Sequence, residues 1–86
     1  MKQFHLQICT PSGTWYDGEA GQLSVRGSGG SLSILAGHIP YTTAVVPHEC
    51  RVYTPDGTVK TGHCGEGFVT TDGAVTRMIL SSFSWE

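Results

Sequence analysis

Ser31-Leu32-Ser33-Ile34-Leu35-Ala36-Gly37-His38-Ile39-Pro40-Tyr41-Thr42-Thr43-Ala44 is the stretch on which the fold reading turns. Leu32 and Ile34 alternate with serines, the period of a half-buried strand. Ala36 to Pro40 then ends it. Pro40 has no backbone donor and holds Ile39 extended, so the segment reads as a corner. Tyr41 to Val46 resumes with β-favouring residues until Pro47.

The same period extends to both sides. Upstream, Phe4, Leu6 and Ile8 alternate with His5, Gln7 and Cys9, and Leu23 and Val25 alternate with Ser24 and Arg26. Between these runs, Pro11-Ser12-Gly13 and Asp17-Gly18 read as breaks, with the aromatic run Thr14-Trp15-Tyr16 as a strand. Downstream, Cys50–Tyr53 and Thr58–Thr61 flank Pro55-Asp56-Gly57, a hairpin signal. Phe68–Thr71 and Val75–Leu80 flank Asp72-Gly73 as a second hairpin, and Gly65-Glu66-Gly67 reads as a bulge or a close backbone approach. No amphipathic helix of about ten residues is visible. The pattern predicts an all-β, flattened sandwich or barrel of about 8–10 short antiparallel strands, with residues 1–86 as one domain.

Composition agrees. The 86 residues carry 12 glycines, 14% charged residues and a net charge of −2. The five basic residues, Lys2, Arg26, Arg51, Lys60 and Arg77, are scattered along the sequence, which argues against nucleic-acid binding. No run approaches the ~18 apolar residues of a membrane span, so direct membrane insertion is not expected. The odd count of cysteines (Cys9, Cys50 and Cys64) rules out a complete disulfide framework, and the cytosol is the simplest compartment.

Catalytic constellations are missing. No nucleophile elbow or phosphate-binding loop follows a strand, and Gly27-Ser28-Gly29-Gly30 reads as a flexible connection. Asp17, Asp56 and Asp72 each precede glycine, where the carboxylate is expected to cap its own turn. Trp15, Tyr16 and Trp85 are expected to pack in the core or at an edge. One chemical alternative has substance, a small structural zinc site. His48 and Cys50 share a strand face, and a two-residue Asp56-Gly57 turn would set His63 opposite Cys50, with Cys64 or His5 as a fourth ligand. A one-residue change in the turn would send His63 to the other face.

The run Ser31 to Ala44 resembles the signature of the ATP synthase epsilon subunit: a strand of the form G-x-L-x-I-L-x-G-H-x-P, then a hydrophobic T-A run. Phe4 to Gly13, Tyr16-Asp17-Gly18-Glu19, Gly65-Glu66-Gly67-Phe68-Val69 and Val75-Thr76 resemble further landmarks of that family, in order over residues 3–80. The resemblance implies the N-terminal β-sandwich of a non-catalytic central-stalk component of a proton-translocating synthase, ten-stranded and without cofactor. It implies docking on the gamma subunit and the membrane rotor ring, on the cytoplasmic side of a bacterial cell membrane. Carried onto this sequence, Gly37, His38, Ile39 and Pro40 form the corner near the partner-facing end. Ser28, Gly29 and Ser31 belong to the loop that approaches the ring, and Thr43 lies in the partly gamma-facing Tyr41–Val46 run. The rival for His38 is a corner histidine that holds backbone carbonyls. A free-standing, diverged interaction module is the alternative within the same fold.

Two departures stand out. The loop Gly27–Ser31 lacks the acidic residues usual in the family, which weakens electrostatic guidance to the ring. The family's C-terminal helical hairpin is absent from this sequence, so its inhibitory role is not expected here.

Overall fold

A computed structural model describes residues 2–86. Ten strands follow in chain order: β1 (Phe4–Thr10), β2 (Gly13–Ala20), β3 (Gln22–Gly27), β4 (Gly30–Leu35), β5 (Tyr41–Val45), β6 (His48–Tyr53), β7 (Val59–Cys64), β8 (Gly67–Thr71), β9 (Val75–Leu80) and β10 (Phe83–Trp85). They hydrogen-bond in the order β10-β7-β6-β3-β5-β8-β9-β1-β2, with β4 paired to β3 alone. This continuous ribbon wraps into a sandwich measuring 30 × 24 × 20 Å, flattened as the alternation predicts.

The inward residues are those of the period-2 reading. Phe4, Leu6 and Ile8 of β1 meet Leu23 and Val25 of β3, Val52 of β6, Val69 of β8 and Met78 and Leu80 of β9, all buried. Cys50 and Cys64 are buried among them as free thiols, which is the core role expected of small apolar side chains. The hydrogen bond shared with Cys50, and then burial, push the Cys64 thiol up. Thr71 and Thr76 are buried polar side chains, and Thr76 donates to Thr71 Oγ1 at 2.9 Å, so neither hydroxyl is orphaned.

Three local readings are corrected. First, the strands are not all antiparallel: β1 and β9 run parallel, with His5 opposite Val75 and Cys9 opposite Ile79. These strands lie at opposite ends of the chain, so no hairpin fixes their direction.

Second, Asp17-Gly18 is not a turn. β2 passes straight through it, with Asp17 opposite Gln7 and Gly18 opposite Leu6. Asp17 finds a cross-strand partner instead of capping itself, because His5 Nε2–H donates to its Oδ1 at 2.5 Å.

Third, the β6–β7 loop is Pro55-Asp56-Gly57, closed by Thr54 N–H donating to Thr58 O at 2.9 Å. Gly57 sits at φ +89°, the left-handed position of a three-residue hairpin loop. That extra residue shifts the register: Cys50 faces Gly62, and His63 faces Glu49.

β2 and β10 end the ribbon and meet without a backbone ladder. Trp85 Nε1–H donates to Trp15 O at 3.3 Å, and Phe83 lies 4.8 Å from the Trp85 ring and 5.8 Å from that of Trp15. Lys60 Nζ stands 4.4 Å over Trp85. The aromatic residues thus close an edge, as their expected packing role requires.

Candidate docking surfaces

The register of β6 and β7 disposes of the zinc trio. Cys50 points into the core and His63 to solvent, so His48, Cys50 and His63 do not converge. His48 is occupied elsewhere: Nδ1–H donates to Val46 O at 2.6 Å, and Nε2 accepts from Arg26 N–H at 3.0 Å. On the outer face Glu49, His63 and Glu86 lie within 4.8 Å of one another, all exposed, an arrangement that ordinary solvated charge explains.

The residues singled out in the sequence fall into two groups. Ser28, Gly29 and Ser31 form the tip of the β3–β4 hairpin, where Gly27 faces Gly30. Ser28 N–H donates to Ala44 O at 3.1 Å, which ties the tip to β5. Thr43 belongs here too, because its methyl group lies 3.2 Å from where a side chain on Gly27 would begin.

Gly37, His38, Ile39 and Pro40 lie at the other end of β4, about 20 Å away at the ~3.3 Å rise of a strand residue. Their corner is built from backbone contacts. His38 N–H returns to Leu35 O at 3.1 Å, and Gly37 N–H donates to Gly73 O at 2.9 Å, docking the corner on the β8–β9 turn. His38 Nδ1–H donates to the Ile39 carbonyl at 2.8 Å, and its ring lies 6.0 Å from Tyr41. His38 thus holds a backbone carbonyl, and Ile39 is the residue thrust outward, 73% exposed. The turn beneath is held by Asp72, whose Oδ1 accepts from Ala74 and Val75 N–H at 2.9 and 2.8 Å. Those bonds keep its carboxyl below the usual carboxylate range.

Beyond Tyr41, which belongs to the Tyr41–Val46 run, the exposed apolar residues Leu35, Phe68 and Ile79 carry no mark in the sequence pattern. Leu35 and Tyr41 flank the corner, and Phe68 of β8 lies directly opposite Ile79 of β9, both more than two-fifths exposed. Ala44 of β5 extends that row beyond Phe68. Parity would have assigned Phe68 outward once Val69 was placed inward. Ile79 was hidden because Met78, Ile79 and Leu80 are all apolar.

Together these features define a β-sandwich with hydrogen-bonded turns and exposed apolar side chains at separated points on its surface. The chain belongs to the family of the β-sandwich domain of the ATP synthase delta/epsilon chain, which matches residues 3–85. Among named relatives, the ATP synthase epsilon chain of Ruminococcus albus is 29% identical over 99% of this chain, and that of Alkaliphilus oremlandii 34% over 95%. The sodium-ion-specific epsilon chain of Acetobacterium woodii is 30% identical over 95%. The chain spans 63%, 60% and 62% of the length of these relatives. A chain in the cryo-EM structure of the Euglena gracilis mitochondrial ATP synthase shares the fold at TM-score 0.91 and 16% identity, covering 96% of this chain and 53% of that one.

Proposed function

We propose that the chain serves as the β-sandwich of an epsilon-type central-stalk subunit of an ion-translocating ATP synthase, without catalytic chemistry of its own. In this reading the Gly37–Pro40 corner and the outward side of Tyr41–Val46 meet the gamma subunit. The Ser28–Ser31 hairpin tip reaches the membrane rotor ring. The protein is then peripheral, held on the cytoplasmic side of a bacterial cell membrane through the complex. No helix among the described residues is long and apolar enough to cross a membrane.

The observation that carries the reading is the family match over residues 3–85. The geometry supports it. Two separated contact points on one stiff sandwich suit a part that touches two partners at once. Exposed apolar residues such as Ile39 and Phe68 suit burial in an assembly.

Co-purification with its gamma subunit tests this. The chain is expected to bind gamma at micromolar concentration and to show no ATPase activity alone. Ile39→Asp is expected to weaken binding about tenfold, the scale of ~1.4 kcal/mol lost when one apolar anchor is replaced by a charge. A chain that binds no gamma subunit at micromolar concentration would refute the proposal.

A further inference from the structure

Two thiols meet in the core beneath the shortest strand. Cys50 of β6 faces Gly62 of β7, and Cys64 faces His48, so the two cysteines are diagonal neighbours on the inward side of one hairpin. Both are buried and free. Gly62 sets no side chain opposite Cys50, and the two thiols share a hydrogen bond. That bond from Cys64 holds the Cys50 thiol below its ordinary value, against the opposing effect of burial. A cysteine buried among apolar side chains ordinarily shifts the other way and is inert. Cys50 is therefore the nucleophile of the pair, and Cys64 keeps its proton.

β10 covers them. Phe83 is paired with Cys64, and its ring occupies the space over Gly62, where a Cβ would lie 2.3 Å from Phe83 Cζ. This strand is only three residues long and ladders with β7 alone. Short edge segments open locally at far lower cost than the whole domain. A bulky thiol reagent is kept out of the folded chain, whereas a peroxide needs only a brief lift of β10.

We propose that Cys50 and Cys64 form a reversible disulfide when a peroxide reaches them, and that β10 governs this access. The Cys50 thiolate attacks one oxygen of hydrogen peroxide and the O–O bond breaks. Cys50 becomes a sulfenic acid, and the departing hydroxide takes up the proton that Cys50 lost, as water. The Cys64 sulfur then attacks the Cys50 sulfur, the S–O bond breaks, and a second water leaves with the Cys64 proton. Two thiols and one peroxide thus give one disulfide and two waters.

Reversibility follows from the register. Diagonal neighbours on paired strands stand about 7–8 Å apart at Cα. A relaxed disulfide spans ~4.4–6.8 Å. Closing the bond must draw β6 and β7 together, and a disulfide strained in this way is easily reduced, the labile kind found in redox-sensing proteins. Phe83 moves with its partner Cys64, and the Trp85 ring lies 4.8 Å from Phe83, so oxidation registers at the β2–β10 seam. None of this depends on the stalk reading above.

The test uses the chain with Cys9→Ser, which removes the competing half-buried thiol. The folded protein is exposed to hydrogen peroxide, with circular dichroism as a folding check, and thiols are counted after unfolding. Both are expected to be lost without links between chains, and to return with reduced glutathione. Trypsin cuts after Arg26, Arg51 and Lys60, so Cys50 and Cys64 fall on separate peptides, and mass spectrometry should find those two joined. Tryptophan fluorescence should change on oxidation and recover on reduction. Phe83→Ala is expected to speed the linkage severalfold, with Phe83→Leu in its place if that variant does not fold.

Two thiols that survive peroxide in the folded chain would overturn the pair, as would their ending as separate sulfinic acids or as links between chains. A linked pair that glutathione cannot reopen would overturn its reversibility. Equal rates with and without the Phe83 ring would overturn the gating by β10.

Discussion

Gly67→Ala probes the tightest backbone approach in the sandwich. A Cβ on Gly67 would lie 2.0 Å from Ile79 O and 2.8 Å from Leu80 Cα, where ordinary contact begins near 3.4 Å. Something must therefore move by about 1.4 Å, and the obstacles are backbone atoms of the β9 partner strand. Gly67 pairs with Leu80 and Ser81 N–H donates to Glu66 O at 2.8 Å, so the strand cannot retreat without losing ladder bonds.

Overpacking costs about 1–3 kcal/mol, and a rigid backbone obstacle places this case near ~3. For a domain with a total stability of roughly 5–10 kcal/mol that is a large share. Thermal unfolding followed by circular dichroism should show a drop of roughly 12–24 °C, at ~4–8 °C per kcal/mol for this size. Two controls grade the argument. Gly62→Ala meets the Phe83 ring at 2.3 Å, a side chain that can rotate, so about 1–2 kcal/mol is expected. Gly29→Ala meets nothing within 4 Å and should stay within ~0.5 kcal/mol of wild type. If G67A melts with G29A rather than well below G62A, the account of β8–β9 packing is wrong.

Two further outcomes follow from the same structure. Asp72 is held below the usual carboxylate range by the Val75 and Ala74 N–H groups, and Asp56 by the Thr54 hydroxyl and Thr58 N–H. A lowered folded pKa adds stability above the unfolded value of ~3.9, and that stability is lost as pH falls through the folded value. Urea midpoints of D72N and D56N should therefore lie below wild type at neutral pH and converge on it in acid, and a gap that persists in strong acid would contradict this. Thiol titration should find Cys9, half-buried, reactive in the native protein, and Cys50 and Cys64 reactive only on unfolding. Three equally fast thiols would show that the β6–β7 face is not sealed.

Much of the fold is written in short-range pattern. Phe4, Leu6 and Ile8, or Leu23 and Val25, alternate because a pleated strand puts every second side chain on the core side, and all are buried. Pro40 marks its corner because it lacks a donor whatever surrounds it. The family landmarks were legible for the same reason, since they are local runs. Gly65-Glu66-Gly67 announced a close approach, and Gly67 makes one.

What the tertiary structure alone decided is how distant segments meet. Asp17-Gly18 has the composition of a turn, yet His5 across the sheet gives Asp17 a partner and β2 runs on. One residue in the β6–β7 loop chose which face His63 occupies, because side chains flip with every step of register. The parallel β1–β9 pair, the Trp15–Trp85 closure and the convergence of Arg26 with Arg51 join residues far apart in the chain. Period and turn chemistry act over a few residues and settle which way each side chain points. Pairing across the whole chain is chosen by the shared burial of many faces at once, which no local window contains.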